Sequence, residues 1–116
     1  MANDPEKTLG EVIREARIHA KLSLREFAKK LEITPSYQSD IENDRRIPSD
    51  EVLRATATSL KLDFDDLMAR TGRVGEKAER YVRRRPTAGA LLRTISDKNL
   101  SEEQLKKLLR DAEKMK

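Results

Sequence analysis

The 116-residue sequence contains no cysteine and no tryptophan, and aromatic residues make up only 3% of it. Without thiols there is no disulfide framework, no thiolate metal site and no cysteine nucleophile. With so few aromatics the core must be aliphatic and the fold largely helical. No run approaches 18 apolar residues, and the segment Met1 to Glu6 lacks a secretory apolar stretch, so no membrane span is expected and a cytoplasmic location is. Alternating strand patterns, internal repeats, glycine-rich phosphate loops and nucleophile–base pairings are also missing. Catalysis therefore has no candidate site, and no cofactor or metal is expected. His19 stands alone with no second histidine or cysteine to share a metal. Asp63, Asp65 and Asp66 lack calcium-loop spacing and read better as a helix cap followed by acids that complement the helix dipole.

What the chain has in abundance is charge, at 40% of residues. Such a composition can signal disorder, but periodic apolar positions argue for folded helices over most of the length. The net charge of +4 is unevenly spread. Residues 1–73 hold 13 basic against 14 acidic side chains, whereas residues 74–116 hold 12 against 7. Any case for a nucleic-acid partner must therefore rest on local placement rather than on global charge.

Helix starts are well marked. Thr8-Leu9-Gly10-Glu11 and Ser23-Leu24-Arg25-Glu26 are capping boxes. Leu9, Val12, Ile13, Ala16 and Ala20 then share one helical face, and Leu24, Phe27, Ala28 and Leu31 another. Thr34-Pro35 puts a cap before a proline in first helical position, Ser49 opens a fourth helix, and Asp63 caps a fifth that Gly72 ends. These make one all-α unit over residues 1–73. Beyond Gly75, Glu76 to Arg84 is polar but helix-compatible until Pro86, Thr87 is expected to cap the next helix, and Ser101 to Gln104 is a third capping box.

Within this pattern, Ser23 to Asn43 reads as a short helix, a tight corner and a second short helix. On that second helix Gln38 and Ile41 point inward, while Ser36, Ser39, Asp40 and Asn43 share the outer side. A short polar helix held proud of a core has the shape that enters the major groove of DNA.

The motifs Leu9-Gly10-Glu11, Ile13 to Arg17, Leu22 to Ala28, Ile33 to Tyr37, Ile41-Glu42-Asn43 and Arg46-Ile47-Pro48-Ser49 resemble the Xre family of lambda-repressor-like helix-turn-helix regulators. The resemblance covers roughly residues 8–72. It implies a five-helix lambda-repressor-like DNA-binding domain, here followed by a helical tail over 74–116, that binds double-stranded DNA as a homodimer on a pseudo-palindromic operator, most simply as a repressor. By position, Pro35, Ser36, Ser39 and Asp40 would face bases. Ser23, Arg25, Thr34, Tyr37, Asn43, Arg45 and Arg46 would meet the DNA backbone, with the N–H groups at the start of the second helix aimed at a phosphate. Arg17 and Glu42 match a pair that is usually an internal salt bridge.

Several positions depart from the family's habits. Lys21, Glu32 and Asp44 stand where glycine is common, and a left-handed backbone there costs about 1 kcal/mol each, least for Asp44. Leu24 replaces a phosphate-binding glutamine. Gln38 stands where an aliphatic residue is expected, and its amide would cost about 1–3 kcal/mol if buried without a partner. Asp40 repels phosphate but can accept from cytosine N4.

The tail carries apolar stripes, Leu91, Leu92, Ile95 and Leu105, Leu108, Leu109, Ala112, that two short helices cannot bury alone. Self-association is the expected remedy. Thr87 to Arg93 with Asn99 to Glu103 also resembles the tails of Xre regulators that are cleaved by ImmA/IrrE-type metallopeptidases, which implies such a partner. Arg83-Arg84-Arg85 reads as a solvated linker, an extra DNA contact or a hinge. The alternative function is a protein-interaction module of the same fold with little or no DNA binding.

Overall fold

In the computed structural model, which describes residue 4 and residues 6–116, each of the first five helices begins on a side-chain cap. α1 (Leu9–His19) starts at Thr8, whose hydroxyl accepts from the Glu11 N–H while the Glu11 carboxylate accepts from the Thr8 N–H. α2 (Leu24–Lys30) repeats the device with Ser23 and Glu26. α3 (Pro35–Glu42) opens on Thr34, α4 (Asp50–Leu60) on Ser49 and α5 (Phe64–Ala69) on Asp63. Each cap satisfies an otherwise orphaned N–H and contributes about 1 kcal/mol.

Helix ends share a second device. Lys21, Glu32, Asp44, Lys61 and Asn99 all have φ between 49° and 62°, the left-handed region. In each case the next residue's N–H reaches back five residues: Leu22 to Arg17, Ile33 to Ala28, Arg45 to Asp40, Leu62 to Ala57 and Leu100 to Ile95. This is the six-to-one bond of a Schellman turn. The first three positions were expected; Lys61 and Asn99 are additions. In four of the five the residue after the turn is Leu or Ile, and three of these, Leu22, Ile33 and Leu62, pack against the core.

The core joins all five helices. Leu9, Val12 and Ile13 of α1 meet Phe27 of α2, Ile41 of α3, Leu53 and Ala57 of α4, and Leu67 of α5. Gly10 permits the closest approach. A Cβ there would lie 2.5 Å from the Glu42 carbonyl oxygen and 2.7 Å from that of Ile41, so only glycine lets α1 lie against the end of α3.

The chain divides into two compact units, Met1–Arg73 and Val74–Lys116. The second holds α6 (Glu76–Arg84), α7 (Pro86–Asp97) and α8 (Glu102–Glu113), with α6 packed on α7. Thr87 does not cap α7: the helix begins one residue earlier at Pro86, whose fixed φ suits the first position, and Arg85 precedes it without a side-chain cap. α5 likewise ends at Ala69, with Arg70 as its cap, before left-handed Gly72 turns the chain. α8 has the expected capping box of Ser101 and Gln104. No residue of α6, α7 or α8 is buried, and Leu91, Leu92, Leu108 and Leu109 are between 40% and 59% exposed. Among the described residues no helix is long and apolar enough to cross a membrane.

Candidate nucleic-acid interface

The polar helix α3 is held from behind by a buried ionic network. Arg17 of α1 meets Glu42 of α3 in a bidentate pair, Nε to Oε2 at 2.8 Å and Nη2 to Oε1 at 3.0 Å. Its remaining Nη1 donates to the Leu22 carbonyl at 2.8 Å, just ahead of the α2 cap. One guanidinium thus ties together α1, the α1–α2 turn and α3. Gln38, 1% exposed, joins by donating from Nε2 to Glu42 Oε2 at 2.7 Å. Its amide is therefore half satisfied: the nitrogen has a charged partner, and Oε1 has none. Glu42 explains why an amide, rather than an aliphatic side chain, is tolerated at this position.

A second tie escapes local reading of the sequence. Asp44 Oδ2 accepts from the Thr8 hydroxyl at 2.6 Å, and Oδ1 accepts from the Gly10 N–H at 3.0 Å. A carboxylate at the end of α3 thereby helps cap the start of α1, which offsets the strain of its left-handed backbone. The partners lie 34 and 36 residues away, beyond any motif. The one sequence signal is an aspartate where glycine would be unstrained.

On the outer side of α3, Ser36 and Asn43 are exposed while Pro35, Ser39 and Asp40 are half-buried. Asn43 Nδ2 donates to the Ser39 carbonyl at 2.9 Å and to its hydroxyl at 3.3 Å. Asp40 Oδ1 accepts from Arg45 Nε at 3.1 Å, so a carboxylate and a guanidinium expected to serve different parts of DNA hold one another. The Arg46 guanidinium lies 4.5 Å from the Tyr37 ring centroid, and the Tyr37 hydroxyl accepts from the Ser49 N–H. The Thr34 hydroxyl accepts from the Tyr37 N–H. Pro35, Ser36, Ser39 and Asp40 thus share one helix, Asn43 caps its end, and Arg45 and Arg46 follow shortly after.

The start of α2 is differently occupied. Both the hydroxyl and the N–H of Ser23 are engaged by Glu26. The Glu26 carboxyl is held below its usual range, first by the Ser23 N–H and then by the Ser23 hydroxyl. An anion already sits on this helix start at neutral pH, leaving the exposed Arg25 side chain as the cation there. The acidic cluster near α5 is structural: Asp63 caps the Asp65 N–H, and Asp66 pairs with Arg70 at 2.9 Å.

A capped helix, a tight turn and a polar helix on a five-helix core make residues 9–71 a lambda-repressor-like helix-turn-helix head. The chain belongs to the helix-turn-helix domain family, which it matches over residues 10–73. It is 33% identical over 89 residues to the transcriptional regulator ClgR of Mycobacterium tuberculosis, spanning 77% of this chain and 80% of that protein. Over 61 residues it is 39% identical to the ImmF control region 10 kDa protein of Bacillus phage phi105, spanning 53% and 68%. Similar solved structures include the clp gene regulator ClgR from C. glutamicum, with 28% identity, a TM-score of 0.47 and coverage of 55% of this chain and 83% of that one. The SinR/SinI complex aligns at 24% identity and a TM-score of 0.49, over 91% and 95%. The matched family and the M. tuberculosis regulator agree with the Xre-type resemblance.

Proposed function

We propose that the chain is a sequence-specific, DNA-binding transcriptional regulator whose α3 enters the major groove. The observation that carries this reading is the construction of the α2–α3 corner. Its inner side is locked by Arg17, Glu42 and Gln38, and its outer side is short and polar, with Ser36 and Asn43 exposed and Ser39 and Asp40 half-buried. In this reading Pro35, Ser36, Ser39 and Asp40 meet base edges, with Asp40 suited to a cytosine amino group. Arg25, Thr34, Tyr37, Asn43, Arg45 and Arg46 meet the backbone, and Ser23 contributes only through the helix start that it caps.

The same reading makes the regulator a homodimer on a pseudo-palindrome with half-sites about one helical turn, ~34 Å, apart, repressing by occlusion at the nucleoid. The exposed leucines of α7 and α8 support the tail as its self-association surface. Sedimentation of the full chain carrying Leu92→Asp and Leu109→Asp should show monomers; an unchanged oligomeric state counts against that role. The resemblance of Thr87 to Arg93 supports an ImmA/IrrE-type metallopeptidase as a further partner, and intact mass after incubation with one tests it.

DNA binding is tested by footprinting and by its salt dependence, which should be steep. Arg45→Ala with Arg46→Ala should weaken binding across all sequences. Failure to bind any duplex at low salt would overturn the reading and favour the interaction module. One observation favours that second reading: Arg45 and Arg46 already have partners within the head.

A further inference from the structure

The densest positive charge on this protein lies outside the helix-turn-helix head. Residues 1–73 carry 13 basic and 14 acidic side chains, and two of their best-placed arginines are engaged by Asp40 and Tyr37. Immediately after the head, α6 places Lys77, Arg80 and Arg84 at i, i+3 and i+7, along one stripe of a helix that rises ~1.5 Å per residue. Arg83 and Arg85 adjoin it, and all five side chains are exposed. Arg80 pairs with Glu76 at 3.4 Å; among the described residues the other four have no acidic side chain within ion-pair distance.

The stripe is not a floppy linker. α6 packs on α7, with Val82 reaching ordinary van der Waals distance of the Gly89 position, 3.9 Å from where a Cβ would stand. The Arg85 guanidinium sits 5.8 Å from the Tyr81 ring centroid. Like charges three and four residues apart repel one another along a helix; Glu76 and Glu79 relieve this in the first turn of α6, whereas Arg83, Arg84 and Arg85 at its end have no acid among them. A polyanion offsets that repulsion.

We infer that α6 and Arg83-Arg84-Arg85 form a second contact surface for the phosphate backbone of duplex DNA, independent of sequence. This rests on the DNA-binding reading of the head and adds to it. Each phosphate neutralised releases counterions and steepens the fall of affinity with salt by about 0.9 in the log–log slope. The surface thus supplies attraction that a near-neutral head lacks.

The test is fluorescence anisotropy of the full chain on a random-sequence duplex from 50 to 200 mM salt. Replacing Arg83, Arg84 and Arg85 by alanine should lower the slope by about 2–3 and weaken binding most at low salt. Replacing the same three by lysine should retain the slope. An unchanged slope in the alanine variant, or equal loss in the lysine variant, overturns the inference while leaving the head's role intact. Loss of binding to phosphatidylglycerol vesicles with an unchanged DNA slope also overturns it, by assigning the stripe to a membrane surface. Wild-type protein that binds no duplex overturns both readings. Retained slope loss in this variant beside no effect of Arg45→Ala/Arg46→Ala sustains the stripe and removes the head.

Discussion

The two units of this protein are written in the same local grammar and reach opposite ends. α1 and α8 both open on capping boxes, and α1, α2, α4 and α7 all end in the same left-handed turn. Yet the first unit buries Phe27, Leu53 and Leu67 completely, whereas the second buries nothing. Caps and turns place helices; they do not decide what covers the apolar faces. In the head, five helices supply mutually complementary faces and an ionic tie from Arg17 to Glu42. In the tail, leucines at helical spacing remain exposed.

Breaking the ionic tie gives the largest expected effect. Glu42→Ala leaves Arg17 buried without its carboxylate and should cost about 3–5 kcal/mol, read by chemical denaturation. A matched leucine pair sharpens the contrast between units. Leu53→Ala in the fully buried core should cost about 2–5 kcal/mol, whereas Leu109→Ala in the tail should stay within about 0.5 kcal/mol for the monomer. Similar costs at the two positions would show that the tail has a hidden core. Gly10→Ala comes next: a Cβ 2.5 Å from a backbone carbonyl must push α1 off α3, at about 1–3 kcal/mol in thermal or urea melts.

Much of this was legible in the sequence, for reasons that are themselves local. Thr8, Ser23, Thr34, Ser49, Asp63 and Ser101 announce helix starts because a cap acts on N–H groups two or three residues away. The Arg17–Glu42 pairing could be read only through a family resemblance, since nothing local links residues 25 positions apart. Asp44 shows the limit more clearly. Its left-handed backbone was foreseeable, but its bonds to Thr8 and Gly10 depend on where the end of α3 meets the start of α1. Gln38 is half legible: its burial follows from helical phase, but its partner Glu42, one turn on, is matched by the family resemblance to Arg17 alone. The α7 start differs from the expectation because Thr87 looks like a cap, while Pro86 before it is the better first residue.

The smallest effect concerns Asp40 and Arg45, where the sequence suggests two separate roles and the structure joins them. The pair is largely open to water, with side chains 29% and 62% exposed, so its contribution to folding should stay below about 1 kcal/mol. In the proposed DNA-binding reading its consequence lies in binding. Arg45 gives only Nε to Asp40, so the pair restrains the guanidinium while its Nη groups can still meet a phosphate, and the second carboxylate oxygen can accept from a base. Asp40→Ala should therefore strengthen binding to random duplex, by freeing Arg45 and removing a charge that repels phosphate, while weakening preference for the operator. Arg45→Ala should weaken both. In a double-mutant cycle on operator affinity the two should couple by about 0.5–1 kcal/mol. Additivity within about 0.3 kcal/mol would mean that base reading and backbone anchoring act independently, and that the ion pair belongs to the free protein alone.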